Sequence, residues 1–550
     1  MWILWSPTKP SLPASSATCV GSVSRWCWCE ASTLAMGHRS VSGYLLGIDA
    51  GQSAIKVVLF TPDGHQVHVV RVPQTAVSPQ PRWQERDMVS LWKATARGIH
   101  RCLREAGVEG ELVLGVGLCG HNDGLYLVRA DGSPVRAAVL ATDSRAHVQA
   151  AALGRGSTGA ELLHLTGQVP FAGSPAALVA WLAENEPEAL ESTRWILSCK
   201  DWIRLQLTGE IATDRTDASA SFADVHSGQW SPQAAAIAGL SPDLLPPILS
   251  SSAIAGRVSE AAASATGLSA GTPVATGSHD VDACALGAGA HRTGDASVIL
   301  GTFSINQIVA DAPTLDHRWQ ARLYLTPGRW LHMATSAAGT TNVDRALAVA
   351  GMSTGEGTAA VIDRVLSLPR GAGAAELTYL PFLLGAPPHA EQDGIGAGLL
   401  GMRAWHTQQD LIRAVVEGVV HNHRMHIDAL RDAFPIAGPV TVCGGGARSI
   451  AWTGLLADSL GVSVQVSNTD EAGARGAALL AGVAVDVYRD LDDAVAQAVR
   501  IARHQEPGDG AAEMDQAYER YVTWLDALVA AGSPARRRLN NPPHLDGGHP

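Results

Sequence analysis

The sequence predicts an α/β protein of two related domains that face each other across a cleft. Three observations carry that expectation. The first is Tyr44 to Gly64, YLLGIDAGQSAIKVVLFTPDG, where an apolar run ends in Asp49, turns through Gly51, Gln52 and Ser53, and resumes from Ile55 to Phe60. Short β-branched runs bounded by turn residues read as strand, turn, strand. The second is an echo in the other half, ASVILGTFSINQIVA from Ala296 to Ala310, in which Gly301-Thr302-Phe303-Ser304 takes the turn. The third is Val440 to Ser459, a strand that runs through Gly444, Gly445 and Gly446 into a helix.

Each turn has a chemical reading. Successive backbone N–H groups in a glycine-rich turn cradle a phosphate, because no side chain crowds the approach. A carboxylate beside it, here Asp49, suits a hydrated Mg²⁺, and Lys56 follows the turn directly. Alone, Gly51 to Ser53 reads better as an ordinary polar β-hairpin turn. Its recurrence at Gly301 and Thr302 favours two phosphate sites, one opening each half. Strand, glycine run and helix at 440–459 is a nucleotide-binding context, since the backbone can lie against the ligand and the helix N-terminus favours an anion.

Length and composition set the bounds. At 550 residues the chain can bury two or three cores. The formal charge of −12, from 52 acidic against 40 basic residues, argues against a nucleic-acid partner. Lysine is confined to Lys9, Lys56, Lys93 and Lys200. The eight cysteines show no metal-ligand spacing apart from an isolated Cys27-x-Cys29, which fits free thiols in a reducing cytoplasm. No apolar run approaches the length of a membrane span. Residues 1–42 differ from the rest: four tryptophans stand in a Ser- and Cys-rich stretch without periodicity, and Met36 offers a second start. We expect this segment to be a disordered or misassigned N-terminal extension.

The remaining elements follow in order. Asp87 is positioned to cap a helix through Trp92 to Cys102. The strand Leu112 to Cys119 delivers His121, Asn122 and Asp123 at its carboxyl end, where ligands of open α/β sheets bind. Asp143 and Arg145 either meet substrate hydroxyls or pair with each other. A helix from Asp201 to Leu207 stops at Gly209. A strand from Pro273 to Thr276 leads to Asp280 at a helix start, where a carboxylate serves as an N-cap or as a base; Asp282 lies two residues on. Arg413 and Glu417 are spaced for an i,i+4 pair on a helix from Gln408 to Leu430. Residues 390–401 read as a mobile glycine-rich segment, and 531–550 as a disordered tail.

These motifs together resemble the FGGY family of carbohydrate kinases, from Gly43 to about Tyr521. The matching segments are Trp83-x-Glu85-x-Asp87, Asp143-x-Arg145, Lys200-Asp201 with Thr213-Asp-x-x-Asp-Ala-Ser219, Gly277-x-x-Asp280, Gly444 to Ser449 and Glu471 to Ala478. The resemblance implies two actin-like, ribonuclease H-like ATPase domains separated by a cleft, with sugar in an N-terminal domain (43–289) and nucleotide in a C-terminal domain (290–530). It implies ATP as donor and Mg²⁺ as cofactor, and Asp280 as the general base toward a primary hydroxyl. Gly51, Gln52, Ser53, Lys56, Gly301 and Thr302 would hold ATP phosphates. Gly444, Gly445, Gly446 and Ser449 would hold adenosine, and Asp49 would hold Mg²⁺ through water. Glu85, His121, Asn122, Asp123 and Asp143 would line the sugar site beside Asp280. Phe303 stands where the family has a shorter residue. Ser78-Pro-Gln-Pro81 and Trp83-x-Glu-Arg-Asp87 lean toward the L-xylulose kinase branch; Cys199-Lys-Asp-Trp202 and Glu471-Ala-Gly-Ala474 lean toward the erythritol kinase branch. A ketopentose and a short polyol therefore stay open as acceptor, and a homodimer is common in the family. Two further classes remain: a non-catalytic sugar sensor on a kinase fold, and a sugar-independent ATPase of the actin-like superfamily.

Overall fold

The computed structural model describes residues 43–352, 357–368, 376–385 and 395–539, with side chains as far as residue 530. The expectations for 1–42, for the loop after Gly385 and for the tail beyond Leu539 lie outside the described residues.

Two seven-stranded sheets repeat one topology. The first runs Ile254–Arg257, Pro273–Ala275, Val113–Gly120, Tyr44–Ala50, Ala54–Phe60, Gln66–Pro73, with the short strand Ser278–His279 added beside the end of Val113–Gly120. The second runs Ile501–Gln505, Val464–Ser467, Val440–Cys443, Ala296–Leu300, Ser304–Ala310, Trp330–Ser336, Gln320–Leu323. In each, the strand that opens the half pairs antiparallel with its hairpin partner and parallel with the strand on its other side. Both predicted turns therefore sit at the carboxyl ends of corresponding central strands.

Strand Tyr44–Ala50 is covered on both faces, which explains its unbroken apolar run. Leu46, Ile48 and Ala50 pack with Leu91 and Ile99 of helix Met88–Ala106. On the opposite face Leu45 packs with Leu479 and Leu480 of helix Ala472–Ala484. As expected, Asp87 caps Met88–Ala106, accepting from the Ser90 N–H, and Gly107 ends it in the left-handed conformation at φ +66°.

Helix Ala472–Ala484 follows six of the seven strands of the second sheet in the chain yet lies on the first sheet and on helix Asp280–Ala288. Glycines make that approach possible. A Cβ on Gly47 would strike the Ala474 carbonyl, one on Gly117 the Ala477 carbonyl, and one on Gly476 the Ala283 carbonyl. The sequence Glu471-Ala-Gly-Ala-Arg-Gly is therefore small because backbone packs against backbone. A second seam closes the edge of the second sheet: the Ala321 N–H donates to the Gly167 carbonyl at 2.9 Å and the Leu323 N–H to Ser219 Oγ at 2.8 Å. Covering an edge strand in this way removes a site for unwanted strand pairing.

Two local expectations change, and Arg413 gains further partners. Residues Gly398–Leu400, inside the segment expected to be mobile, form a strand antiparallel to Thr378–Leu380. The last helix, Ala511–Leu539, continues beyond the expected boundary at 530, so the tail begins later. Arg413 donates to the carbonyls of Val365, Leu366 and Leu368 and so closes the end of helix Thr358–Ser367.

Candidate active site

The two turns meet the site from opposite sheets. In the first, Asp49 and Lys56 are direct cross-strand partners, which places their side chains together. Lys56 Nζ lies 2.9 Å from Asp49 Oδ2 and 3.7 Å from Glu471 Oε2, and Arg71 also pairs with Glu471. The Asp49 carboxylate, more than burial opposes, raises the Lys56 ammonium and keeps it charged. Gly51 and Gln52 are half-exposed and Ser53 is exposed. In the second turn, the Gly339 and Thr340 N–H groups bond the carbonyls of Thr302 and Gly301 at 2.7 and 2.8 Å. Helix Thr340–Val349 thereby holds the turn shut from behind, with Thr302 exposed and Phe303 half-exposed.

Asp280 is the first residue of helix Asp280–Ala288, and the N-cap is His279, whose side chain makes no cap bond. The plain N-cap role weighed from the sequence therefore does not apply to Asp280. Its side chain is 28% exposed and lies 3.2 Å from His279 Nε2. Burial, then the neighbouring carboxylates of Asp49 and Asp217, push its carboxyl up to about 7. A carboxylate poised near neutrality matches the requirement for a general base working there. Asp282, by contrast, is fully buried, 3.7 Å from His279 Nδ1 with neither oxygen hydrogen-bonded in the protein, and burial pushes its carboxyl well up. It faces inward and is not presented to the cleft.

The predicted acceptor residues divide. His121, only 4% exposed, bonds the Tyr126 hydroxyl through Nε2 at 3.2 Å. Burial and the nearby Arg86 charge lower its imidazole to about 3, so it is a neutral ring at pH 7. Asp123 sits in the left-handed region at φ +50°, 3.5 Å from Arg322 Nη2. Asn122 Nδ2 donates to the Asp217 carbonyl at 2.8 Å and its Oδ1 accepts from the Asp123 N–H, so its amide braces the loop. Glu85 is engaged by Arg136 and, at 2.7 Å, by Arg145. Asp143 takes Arg145 at 2.8 Å and the Gln84 N–H at 2.6 Å. Asp143 and Arg145 pair with each other, one of the two roles weighed for them. Arg145 also lies 3.8 Å above the Trp83 ring, which meets Trp181 edge-on at 5.3 Å. Glu85, Asp143 and Asn122 thus form a wall braced from within the protein, with both arginines on Oε1 of Glu85.

Behind that wall lies a buried charge cluster. Ser198 caps helix Cys199–Thr208, and Lys200 Nζ sits 2.7 Å from Asp201, 3.0 Å from Asp214 and 2.9 Å from Asp217, all with virtually no exposure. Arg204 adds a contact of 2.7 Å to Asp201. The Lys200-Asp201 and Thr213-to-Ser219 motifs are therefore one brace beneath the acceptor loop, the architectural role their pattern implied.

At the nucleotide end, Gly444 adopts φ +91° and a Cβ on Gly446 would press on Leu300 and Trp452. Gly445 is exposed with open space where a Cβ would stand. Ser449 is buried; its hydroxyl caps helix Ile450–Leu460 and donates to Asp363 at 2.7 Å. Among the expected adenosine residues, Gly445 presents open backbone, whereas Gly446 and Ser449 hold the framework.

Sequence reading overlooked Arg86, Arg322 and Glu471. Arg86 had a usable signal: on a short strand it must face opposite to Glu85. Arg322 and Glu471 depend on contacts between distant segments and carry no local signal.

Comparison with known proteins agrees with this architecture. Models of the FGGY family of carbohydrate kinases match twice, the N-terminal domain over residues 44–287 and the C-terminal domain over 321–485. The chain is 32% identical to the L-xylulose/3-keto-L-gulonate kinase of Escherichia coli (strain K12) over 88% of its own length and 97% of that protein. It is 30% identical to the erythritol kinase of Brucella abortus (strain 2308) over 90% and 97% of the two chains. The crystal structure of xylulose kinase from Rhodospirillum rubrum superposes with a TM-score of 0.78 at 26% identity, covering 89% of this chain and all of that one. With paired sheets, paired turns and both domain profiles in one chain, this protein belongs to the FGGY family of carbohydrate kinases.

Proposed function

We propose that the protein transfers the γ-phosphoryl group of ATP to a primary hydroxyl of a small polyhydroxylated acceptor, either a ketopentose such as L-xylulose or a polyol such as erythritol. The observation that carries this reading is Asp280: a cleft-facing carboxylate at a helix start, held near neutrality by burial and by Asp49 and Asp217. Asp280 takes the hydroxyl proton while the acceptor oxygen bonds to the γ-phosphorus. The bond from that phosphorus to the β,γ-bridging oxygen breaks, and ADP leaves with the electron pair. The turns at Gly51 to Ser53 and Gly301 to Thr302 hold phosphate oxygens by backbone N–H groups, and the neutral His121 and the Asp123 carboxylate face acceptor hydroxyls.

Asp49 fits a water-shelled Mg²⁺, since that ion is satisfied by one carboxylate with phosphates and water. When bound it would neutralise phosphate charge. Lys56, now on Asp49 and Glu471, is placed to turn to phosphate oxygens. Closure of the cleft would exclude water, which otherwise competes with the acceptor hydroxyl. The described cysteines are all free thiols, as a reducing cytoplasm favours. The test is acceptor-dependent ADP release with Mg·ATP across ketopentoses, pentitols, tetritols and glycerol. One stimulating acceptor supports the reading, and ATP binding without stimulation by any acceptor refutes it.

A further inference from the structure

Four arginines surround the acceptor side, and three are neutralised by the protein itself. Arg136 holds Glu85 and Glu186, Arg145 holds Glu85 and Asp143, and Arg322 faces Asp123 at 3.5 Å. Arg86 differs. It is 3% exposed, yet among the described residues it has no carboxylate partner, and its Nε and Nη1 have no hydrogen-bond partner in the protein. Nη2 is engaged by the carbonyl of Gln52, and the guanidinium also lies against the neutral Tyr126 hydroxyl. A guanidinium taken out of water without an anion is costly by several kcal/mol. Such a charge persists where something outside the fold completes it.

Its position says what that partner is. Gln52 belongs to the first phosphate turn, so Arg86 sits directly beneath it. On its other side are His121, whose imidazole burial and then the Arg86 charge lower, and Tyr126, whose phenol burial raises with the Arg86 charge opposing. Arg86 therefore stands where the phosphate turn and the acceptor loop meet. Across the site, Asp280 is flanked by the negative charges of Asp49 and Asp217. A phosphoryl group in transit spreads negative charge over three equatorial oxygens, and a cation matched to them stabilises that state above the ground state.

We propose that Arg86 is a catalytic residue that binds the γ-phosphoryl oxygens as they pass from ADP to the acceptor, exchanging its bond to the Gln52 carbonyl for one to phosphate. The proposal rests on the kinase reading above. It adds a second cation to Lys56, one that acts during transfer rather than in nucleotide binding. In the step, Arg86 stays protonated throughout. The acceptor proton goes to Asp280, the new bond is acceptor oxygen to phosphorus, and the broken bond releases ADP.

The experiment compares wild type with R86K, R86Q and R86M under saturating Mg·ATP, using the acceptor that stimulates wild type and a carboxylate-bearing aldonate of similar length. kcat, both KM values and the thermal midpoint are measured for each variant. R86Q and R86M should lose roughly 10²- to 10³-fold in kcat, with both KM values within a few-fold of wild type. R86K should keep more turnover than either. R86M should melt at or above the wild-type temperature, because it removes an uncompensated buried charge; a merely structural arginine would do the opposite. Added guanidinium should restore part of the kcat of a fourth variant, R86A, which leaves room for it. Undiminished kcat in R86M overturns the proposal, as does a kcat loss that comes with a lowered melting temperature and weakened ATP binding. Loss confined to the carboxylate-bearing acceptor also overturns it, assigning Arg86 to acceptor recognition. An inactive wild type would refute the kinase reading itself, whereas active wild type with active R86M refutes this inference alone.

Discussion

Replacing Lys200 by Met tests how the acceptor site is held. Lys200 contacts the carboxylates of Asp201, Asp214 and Asp217 within 3.0 Å, all buried, and Arg204 also contacts the cluster, through Asp201. K200M keeps the side chain's length and apolar stem but leaves three carboxylates facing one guanidinium. Removing one partner of a buried pair costs about 3–5 kcal/mol, since the remaining charge cannot return to water. At about 2–4 °C per kcal/mol for a domain of some 200 residues, the thermal midpoint should fall by roughly 6–20 °C at pH 8. The loss should shrink at pH 6. Burial already raises the Asp217 carboxyl, with Asp214 and Asp201 adding to it and Lys200 opposing. Without Lys200 it rises further, so the folded variant binds a proton that the unfolded chain, at the usual carboxylate value, does not. Stability of the variant is then lost as pH climbs through the raised value and recovered as pH falls below it. Differential scanning calorimetry at pH 6 and 8 reads this directly. A midpoint within 2 °C of wild type at pH 8, or equal losses at both pH values, would refute the account of the cluster.

Other perturbations reach different parts of the structure. The acid limb of the pH profile of kcat/KM should fall with an apparent value of about 7, because Asp280 must be ionised to accept a proton and its carboxyl is pushed up to that value; a profile flat from pH 8 to pH 5.5 would exclude it. G47A should destabilise by about 1–3 kcal/mol or more, since its Cβ meets the Ala474 backbone carbonyl, which cannot rotate away. A chemical-denaturation midpoint unchanged in G47A would show that helix Ala472–Ala484 does not lie against that strand.

Much of the framework was legible because it is local. The two hairpins, the Asp87 cap, the Gly209 helix end and the strand before Asp280 follow from periodicity and turn chemistry within short windows. The site was less legible because whether a carboxylate is free depends on partners far along the chain. The Asp143–Arg145 pair was one of two roles open from the sequence, whereas Glu85 carried no sign that Arg145, 60 residues on, would engage it. Glu471 reaches Arg71 across 400 residues. Arg86 was hidden for the opposite reason: it sits beside a motif glutamate, and only the alternation of a strand shows that the two face apart. Ser449 read as a ligand residue because it follows the glycine run, yet its hydroxyl is used as a helix cap.

The central claim is that Asp280 removes the proton from an acceptor hydroxyl. The direct measurement is ADP release from Mg·ATP by wild type and D280N, each with the stimulating acceptor, alongside nucleotide affinity by calorimetry. The account predicts that D280N binds Mg·ATP within a few-fold of wild type while kcat falls by roughly 10²–10⁴-fold. A D280N enzyme that turns over at the wild-type rate would contradict it.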